Sequence, residues 1–230
     1  MIQNYCTSAL AIVYRGVCLF GAYLGIASSL HAQAVSVDVL DSEWNFHGHG
    51  LKKVERGMLY MKEEPGSQGA MIVSPEAYAS EVNVRYEIMP MNAASVCVLI
   101  LGAIDADNSR TLSIPEGYDG SMGHWIQQVD NTFFAFHNAA HNRTPFAIRF
   151  PDRTPLGTAT DNVMQSGRFY TIAAGRTGNR VWLEIDGTLV FEGKDTVPST
   201  AGHIAFRIRG LAEEPAACLI RNVSVESTGN

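Results

Sequence analysis

Charge is scarce in this 230-residue chain: only 17% of its residues are Asp, Glu, Lys or Arg. Long surface helices need a continuous charged face, so this composition suits strands and turns, and the 21 glycines point the same way. Beyond Leu30 no apolar run is long enough to span a membrane. Beyond position 34 only two cysteines remain, Cys97 and Cys218, too few and too far apart for a zinc cluster. Each sits in an apolar, strand-like run, where a disulfide and two buried thiols are both open. There is no P-loop, no dinucleotide-binding glycine pattern, no Ser-His-Asp spacing and no internal repeat. His137 and His141 stand four apart, but in strand and loop sequence rather than on a helix, so they do not predict a zinc pair.

The first 34 residues differ from the rest. Arg15 precedes an apolar run from Val17 to Leu30, and His31-Ala32-Gln33-Ala34 follows in an A-x-A pattern. This predicts a secretory signal peptide over residues 1–34, cleaved after Ala34, and a secreted or periplasmic protein of residues 35–230. A retained membrane anchor is the alternative. Residues 1–34 hold one basic residue, Arg15, and no acid, so removing them takes the net charge from −6 to −7. An acidic protein is a poor nucleic-acid binder, and after cleavage no membrane partner is expected. A polyanionic ligand would have to meet a local cationic patch.

Along the remaining chain, short strands alternate with turns. Val35 to Asp41 is a candidate first strand. Glu81 to Met89 alternates cleanly, with Val82, Val84, Tyr86 and Ile88 on one face and Glu81, Asn83, Arg85 and Glu87 on the other. Ser95 to Leu101 is apolar on both faces and reads as a central strand. From Arg168, two hairpins share a middle strand, Arg180 to Ile185, with turns at Thr177-Gly178-Asn179 and Asp186-Gly187. Gly202 to Arg209 and Ala216 to Glu226 close the chain. About a dozen strands and no convincing amphipathic helix make an all-β antiparallel sandwich in one domain. The loop Asp105 to Glu116 partly fits a calcium-loop template through Asp105, Asp107, Ser109 and Glu116. Arg110 replaces its turn glycine and no helices flank it. No cofactor is expected, with calcium here as the alternative.

The richest chemistry lies between Gly123 and Arg153. Three of the seven histidines interleave there with Trp125, four phenylalanines between 133 and 146, Phe150 and several arginines. Apolar faces beside cationic and amide groups are what a sugar or uronate ring needs.

The segment RFYTIAAGRTGNRVWLEIDGTLVFEGKD, then GHIAFRIRG and CLIRNVSVES, resembles the C-terminal half of concanavalin A-like jelly rolls. Within that superfamily the chain looks most like the YesU-like bacterial group, with a secondary resemblance to 3-keto-disaccharide hydrolase-like domains. Phe133-Phe134-Ala135-Phe136-His137, Asn142-Arg143 and Arg149 to Arg153 stand where that group carries an aromatic strand and an Arg-rich loop, but its N-L-R-K run is replaced by FPDR. The resemblance implies a glycan held on the concave sheet face. The Glu-x-Asp-x-x-Glu motif of the fold's retaining glucanases is missing, which disfavours a paired-carboxylate mechanism. β-Elimination of a uronate needs other groups, and this stretch holds those residue types. The leading expectation is therefore a carbohydrate-active enzyme, lyase or glycosidase-like. His137 would carry the proton, Arg143 and Arg149 would clamp an anion, and Glu87 would complete the catalytic set. Arg85, Gln127, Asn131, Asn142, Trp125, Arg207 and Arg209 would bind substrate. The alternative is a non-catalytic carbohydrate-binding or surface-interaction module.

Overall fold

A computed structural model describes residues 30–107, 111–198 and 200–228. In chain order the elements are β1 (Leu30–Val35), α1 (Val37–Ser42), β2 (Asn45–Gly48), β3 (Gly50–Glu55), β4 (Met58–Glu63), β5 (Ala70–Val73), β6 (Val82–Pro90) and β7 (Val96–Asp105). After α2 (Met122–Gln127) come β8 (Val129–His137), a 3-10 turn (Ala139–His141), β9 (Phe146–Phe150), β10 (Thr154–Thr158), β11 (Tyr170–Thr177), β12 (Arg180–Ile185), β13 (Thr188–Lys194), β14 (His203–Arg209) and β15 (Ala217–Thr228).

The strands form two antiparallel sheets. One runs β13-β12-β11-β6-β15-β4-β3, with β1 added along the far end of β15. The other runs β10-β9-β8-β7-β14-β5-β2. Period-2 alternation sends Val82, Val84, Tyr86 and Ile88 of the first sheet inward to meet Leu99, Phe134, Phe206 and Ile208 of the second. Trp44 stacks on Phe206 at 5.5 Å and Tyr86 meets the same ring edge-on at 4.7 Å, so aromatic contacts close the centre.

The seven-stranded sheet is apolar on its outer face as well. Met71, Val73, Val96, Val98, Ile100, Phe133, Ala135 and Ala205 form a second buried cluster there. Hence β7 reads as apolar on both faces. The cover comes from the connection between β7 and β8, which carries α2. Trp125 of α2 is fully buried against this face, and Leu112, Ile114, Tyr118, Met122 and Ile126 pack around it. A fully buried large aromatic contributes about 1.5–3 kcal/mol through its apolar surface.

One sequence expectation changes. Residues 37–42 form a helix rather than a strand, because Ser36 caps it through its hydroxyl on the Val39 amide at 3.2 Å while Leu40 plugs the core. The strand before that helix, β1, starts upstream of the expected cleavage point after Ala34, and residues 1–29 of the expected signal peptide lie outside the described residues. The cysteines are separate: Cys97 and Cys218 are buried free thiols.

Candidate functional site

Beside the cover, cavities lie against the outer face, over a floor that is itself buried. Across β14, β7, β8 and β9, one row of directly opposed residues runs Arg207, Val98, Ala135, Phe146. Two small residues separate two large ones, so the row is a trough with an arginine wall and an aromatic wall. The next row contributes Phe133, whose ring stacks on Phe146 at 6.1 Å with 30° between planes. Two adjoining cavities of about 700 and 310 Å³ meet over Phe133, Phe146 and Met122. The larger extends along β9 and β10 past Phe150, Arg153 and Thr158. The smaller reaches Gln68, Asn138, His141, Arg207 and Arg209.

The arginines are placed by local backbone chemistry. After β8 the chain makes the 3-10 turn, and the Asn138 carbonyl accepts from the amides of His141 at 3.1 Å and Arg143 at 3.3 Å. Asn142 ends the turn in the left-handed region at φ +50, a conformation asparagine tolerates. This lays the Arg143 guanidinium over the Phe146 ring, 5.0 Å from its centroid. Arg153 sits in the turn between β9 and β10 at φ +61.

Arg207 is buried at the opposite wall. Its Nη2 donates to the carbonyls of Gln68 at 2.8 Å and Gly120 at 3.0 Å. Burial pulls its pKa down to about 10, which leaves it protonated at neutral pH. Only glycines fit its cradle: a Cβ on Gly69 would lie 2.5 Å from that Nη2, and one on Gly120 would lie 1.9 Å from the Gly69 carbonyl oxygen. Arg209, half-buried beside it, donates to the Ser67 carbonyl, and to Gln68 Oε1 at 3.3 Å, and lies 3.4 Å from the buried carboxylate of Glu63.

Of the residues expected to bind or act on substrate, Asn142, Arg143, Arg207 and Arg209 line this groove. The others are placed elsewhere. His137 is 3% exposed, and its Nδ1 meets the Ser95 carbonyl. A pairing irregularity between Cys97 and Val98 takes it out of register with Ala135, and burial lowers its pKa against that hydrogen bond. Arg149 points to the opposite side of its strand from Phe146 and Ile148, where it pairs with Asp152 and Asp195. Glu87 and Arg85 lie on the outer face of the eight-stranded sheet, across the sandwich. There Glu87 binds Arg221 and Asn222, and those two hydrogen bonds hold its carboxyl below the usual range. Trp125 is core. Asn131 is fully buried and donates to the Trp125 carbonyl at 3.1 Å and the Val129 carbonyl at 2.9 Å, tying α2 to β8. Gln127 is exposed on α2 outside the groove lining. The expected catalytic set therefore does not converge.

Sequence reasoning missed Gln68, Asn138 and Arg153 as lining residues. Arg153 stood next to the residues singled out, whereas Gln68 enters only because β4 and β5 bring its loop beside β14. The calcium expectation concerned Asp105, Asp107, Ser109 and Glu116. Asp105 commits its carboxylate to the Ser113 amide at 3.0 and 3.2 Å and the Thr111 hydroxyl at 3.1 Å, and Ser109 lies outside the described residues. Among the described residues no group of three or more His, Cys, Asp or Glu converges as metal ligands would. No helix among them is long and apolar enough to cross a membrane.

A Bacillus subtilis protein of unknown function with a galectin-like fold superposes with a TM-score of 0.72 at 14% identity, over 86% of this chain and 96% of the other. The fold is a concanavalin A-like jelly roll. A native glycosidic hydrolase matches this jelly roll with a TM-score of 0.60 at 11% identity, over 87% of this chain and 97% of that one. The Emp47p carbohydrate recognition domain matches it at 0.59 and 11%, over 88% and 99%. No family model matches the sequence and a search of curated proteins finds no match, so the narrower YesU-like resemblance rests on residues alone.

Proposed function

We propose that this jelly roll is a carbohydrate-binding module whose ligand lies in the groove on the outer face of the seven-stranded sheet. The observation that carries it is the stacked pair Phe133 and Phe146 beside Arg143, in a groove whose lining contains no Asp or Glu among the described residues. Aromatic faces pack against the apolar face of a sugar ring, and the arginine and amide N–H groups around them donate to its oxygens. A glycosidase needs a carboxylate pair flanking the bond to be cleaved, and this lining has none. Neighbours of the same fold described as a carbohydrate recognition domain and a glycosidic hydrolase support a saccharide ligand. Export to the periplasm or beyond belongs to the same reading, supported by the apolar run and A-x-A pattern before Val35.

The test is titration calorimetry of the protein against oligosaccharides of varied composition. Binding that is lost in Phe146→Ala supports the reading. Binding that survives in that variant places the ligand elsewhere and overturns it.

A lyase is the second reading, favoured by His141 at the groove margin beside Asn142 and Arg143. A rise in absorbance from unsaturated uronate products, abolished in His141→Ala, would establish it. No rise leaves the binding module alone.

A further inference from the structure

The groove has the opposite charge to the protein around it. The chain carries a net charge of −6, yet among the described residues four arginines line the two cavities and no acid does. Arg143 and Arg153 are exposed and make no ion pair among the described residues. Glu63 behind the wall partly compensates Arg209, at 3.4 Å, and also Arg207. In the lining of the smaller cavity, the Nε of Arg207 and the Oδ1 of Asn138 are buried and have no hydrogen-bond partner among the described residues. Both residues are 4% exposed and both line the smaller cavity. A buried donor and a buried acceptor left open beside one groove are a cost that a polar ligand relieves. Guanidinium groups suit carboxylate and sulfate oxygens because they donate in parallel pairs.

We propose that the groove takes an acidic saccharide, a sugar chain bearing carboxylate or sulfate groups. Arg143 receives one anionic group beside Phe146, Arg153 receives another at the β9–β10 turn, and the Arg207–Arg209 wall receives a third. This rests on the saccharide reading above. The two walls stand three strand spacings apart, roughly 14 Å at the usual interstrand distance. A ligand bridging them is longer than one sugar ring, so an oligosaccharide is required.

The experiment compares four probes of matched length by calorimetry on the full chain: an oligogalacturonate, a sulfated galactan oligosaccharide, a neutral xylo-oligosaccharide and oligoglutamate. Each is measured at low and at high sodium chloride. The expected result is binding of the carboxylated or the sulfated sugar at least roughly tenfold tighter than the neutral one, weakened by salt. That preference should fall by roughly tenfold or more in the double variant Arg143→Gln, Arg153→Gln, whose exposed positions leave folding intact. Equal or tighter binding of the neutral sugar overturns the acidic preference while the saccharide reading stands. Oligoglutamate binding as well as the acidic sugars overturns both, leaving a plain anion site. Binding unchanged in the double variant overturns the assignment to these arginines.

Discussion

Arg149 and Asp195 form a buried ion pair that joins the two halves of the sandwich. Arg149 belongs to β9 of one sheet, while Asp195 follows β13 of the other and also faces Arg176 of β11 at 3.4 Å. Asp195 is 2% exposed and its Oδ1 further accepts from the Val197 amide at 3.0 Å. The arginine expected to clamp a ligand thus has its partners inside the protein.

Asp195→Asn leaves Arg176 beside a neutral amide in a buried site, while Arg149 keeps Asp152. Removing one partner of a buried pair costs about 3–5 kcal/mol. Urea denaturation should show that loss with the m-value unchanged. A loss under about 1 kcal/mol would mean that solvent reaches the pair and screens it, as at a surface salt bridge.

Stability should fall as pH drops from 7 to 5. Burial lowers the folded-state pKa of His137 and of His47 below the ordinary imidazole value of 6.5. Above that value both states are neutral and the stability is fully present. As pH falls, the unfolded chain takes up the proton first, so stability is lost down through the folded-state values. Thermal unfolding from pH 5 to 8 should show the slope. His137→Gln should flatten it in part, with the His47 share remaining, and an unaltered slope would exclude His137 as a contributor.

Gly120→Ala tests the cradle of Arg207. The left-handed φ of +88 and the Gly69 carbonyl 1.9 Å from the added Cβ leave no room. The expected cost is roughly 1–3 kcal/mol, read as a fall in Tm. Saccharide binding should weaken with it, because the same displacement moves the Gly120 carbonyl away from Arg207. Gly117→Ala, where nothing lies within 4 Å, should cost less and leave binding intact.

Thiol chemistry should be silent until the protein unfolds. Burial pushes the Cys218 thiol up to about 12 and that of Cys97 well above its ordinary value. A thiolate-selective reagent should leave both untouched in the native protein and label both in denaturant. Labelling of neither in denaturant without reductant would reveal a disulfide.

The alternation of Val82, Val84, Tyr86 and Ile88, and the Gly-containing turns after Thr177 and Ile185, are local signals, and they yielded the strands and the sandwich without help from the tertiary structure. The double-sided apolar run of β7 was also readable. What covered its second face was not, because Trp125 looks the same in a sequence whether it stacks on a sugar or anchors α2. Counting by twos from Phe133 puts His137 on the face of Ala135. One pairing irregularity opposite Cys97 broke that count, and such bulges are set by the partner strand.

Composition and period-2 patterning by themselves determined an antiparallel sandwich with aromatic and arginine side chains concentrated near β8 and β9. They act between neighbours in the chain, where two-residue periodicity and turn chemistry operate. Strand pairing decided which of those side chains meet. It put Arg207 and Phe146 in one row with Val98 and Ala135 between them, turned Arg149 toward Asp195, and set Glu87 on the far sheet. Those relations join residues tens of positions apart, and only the hydrogen-bonded register of the sheets creates them.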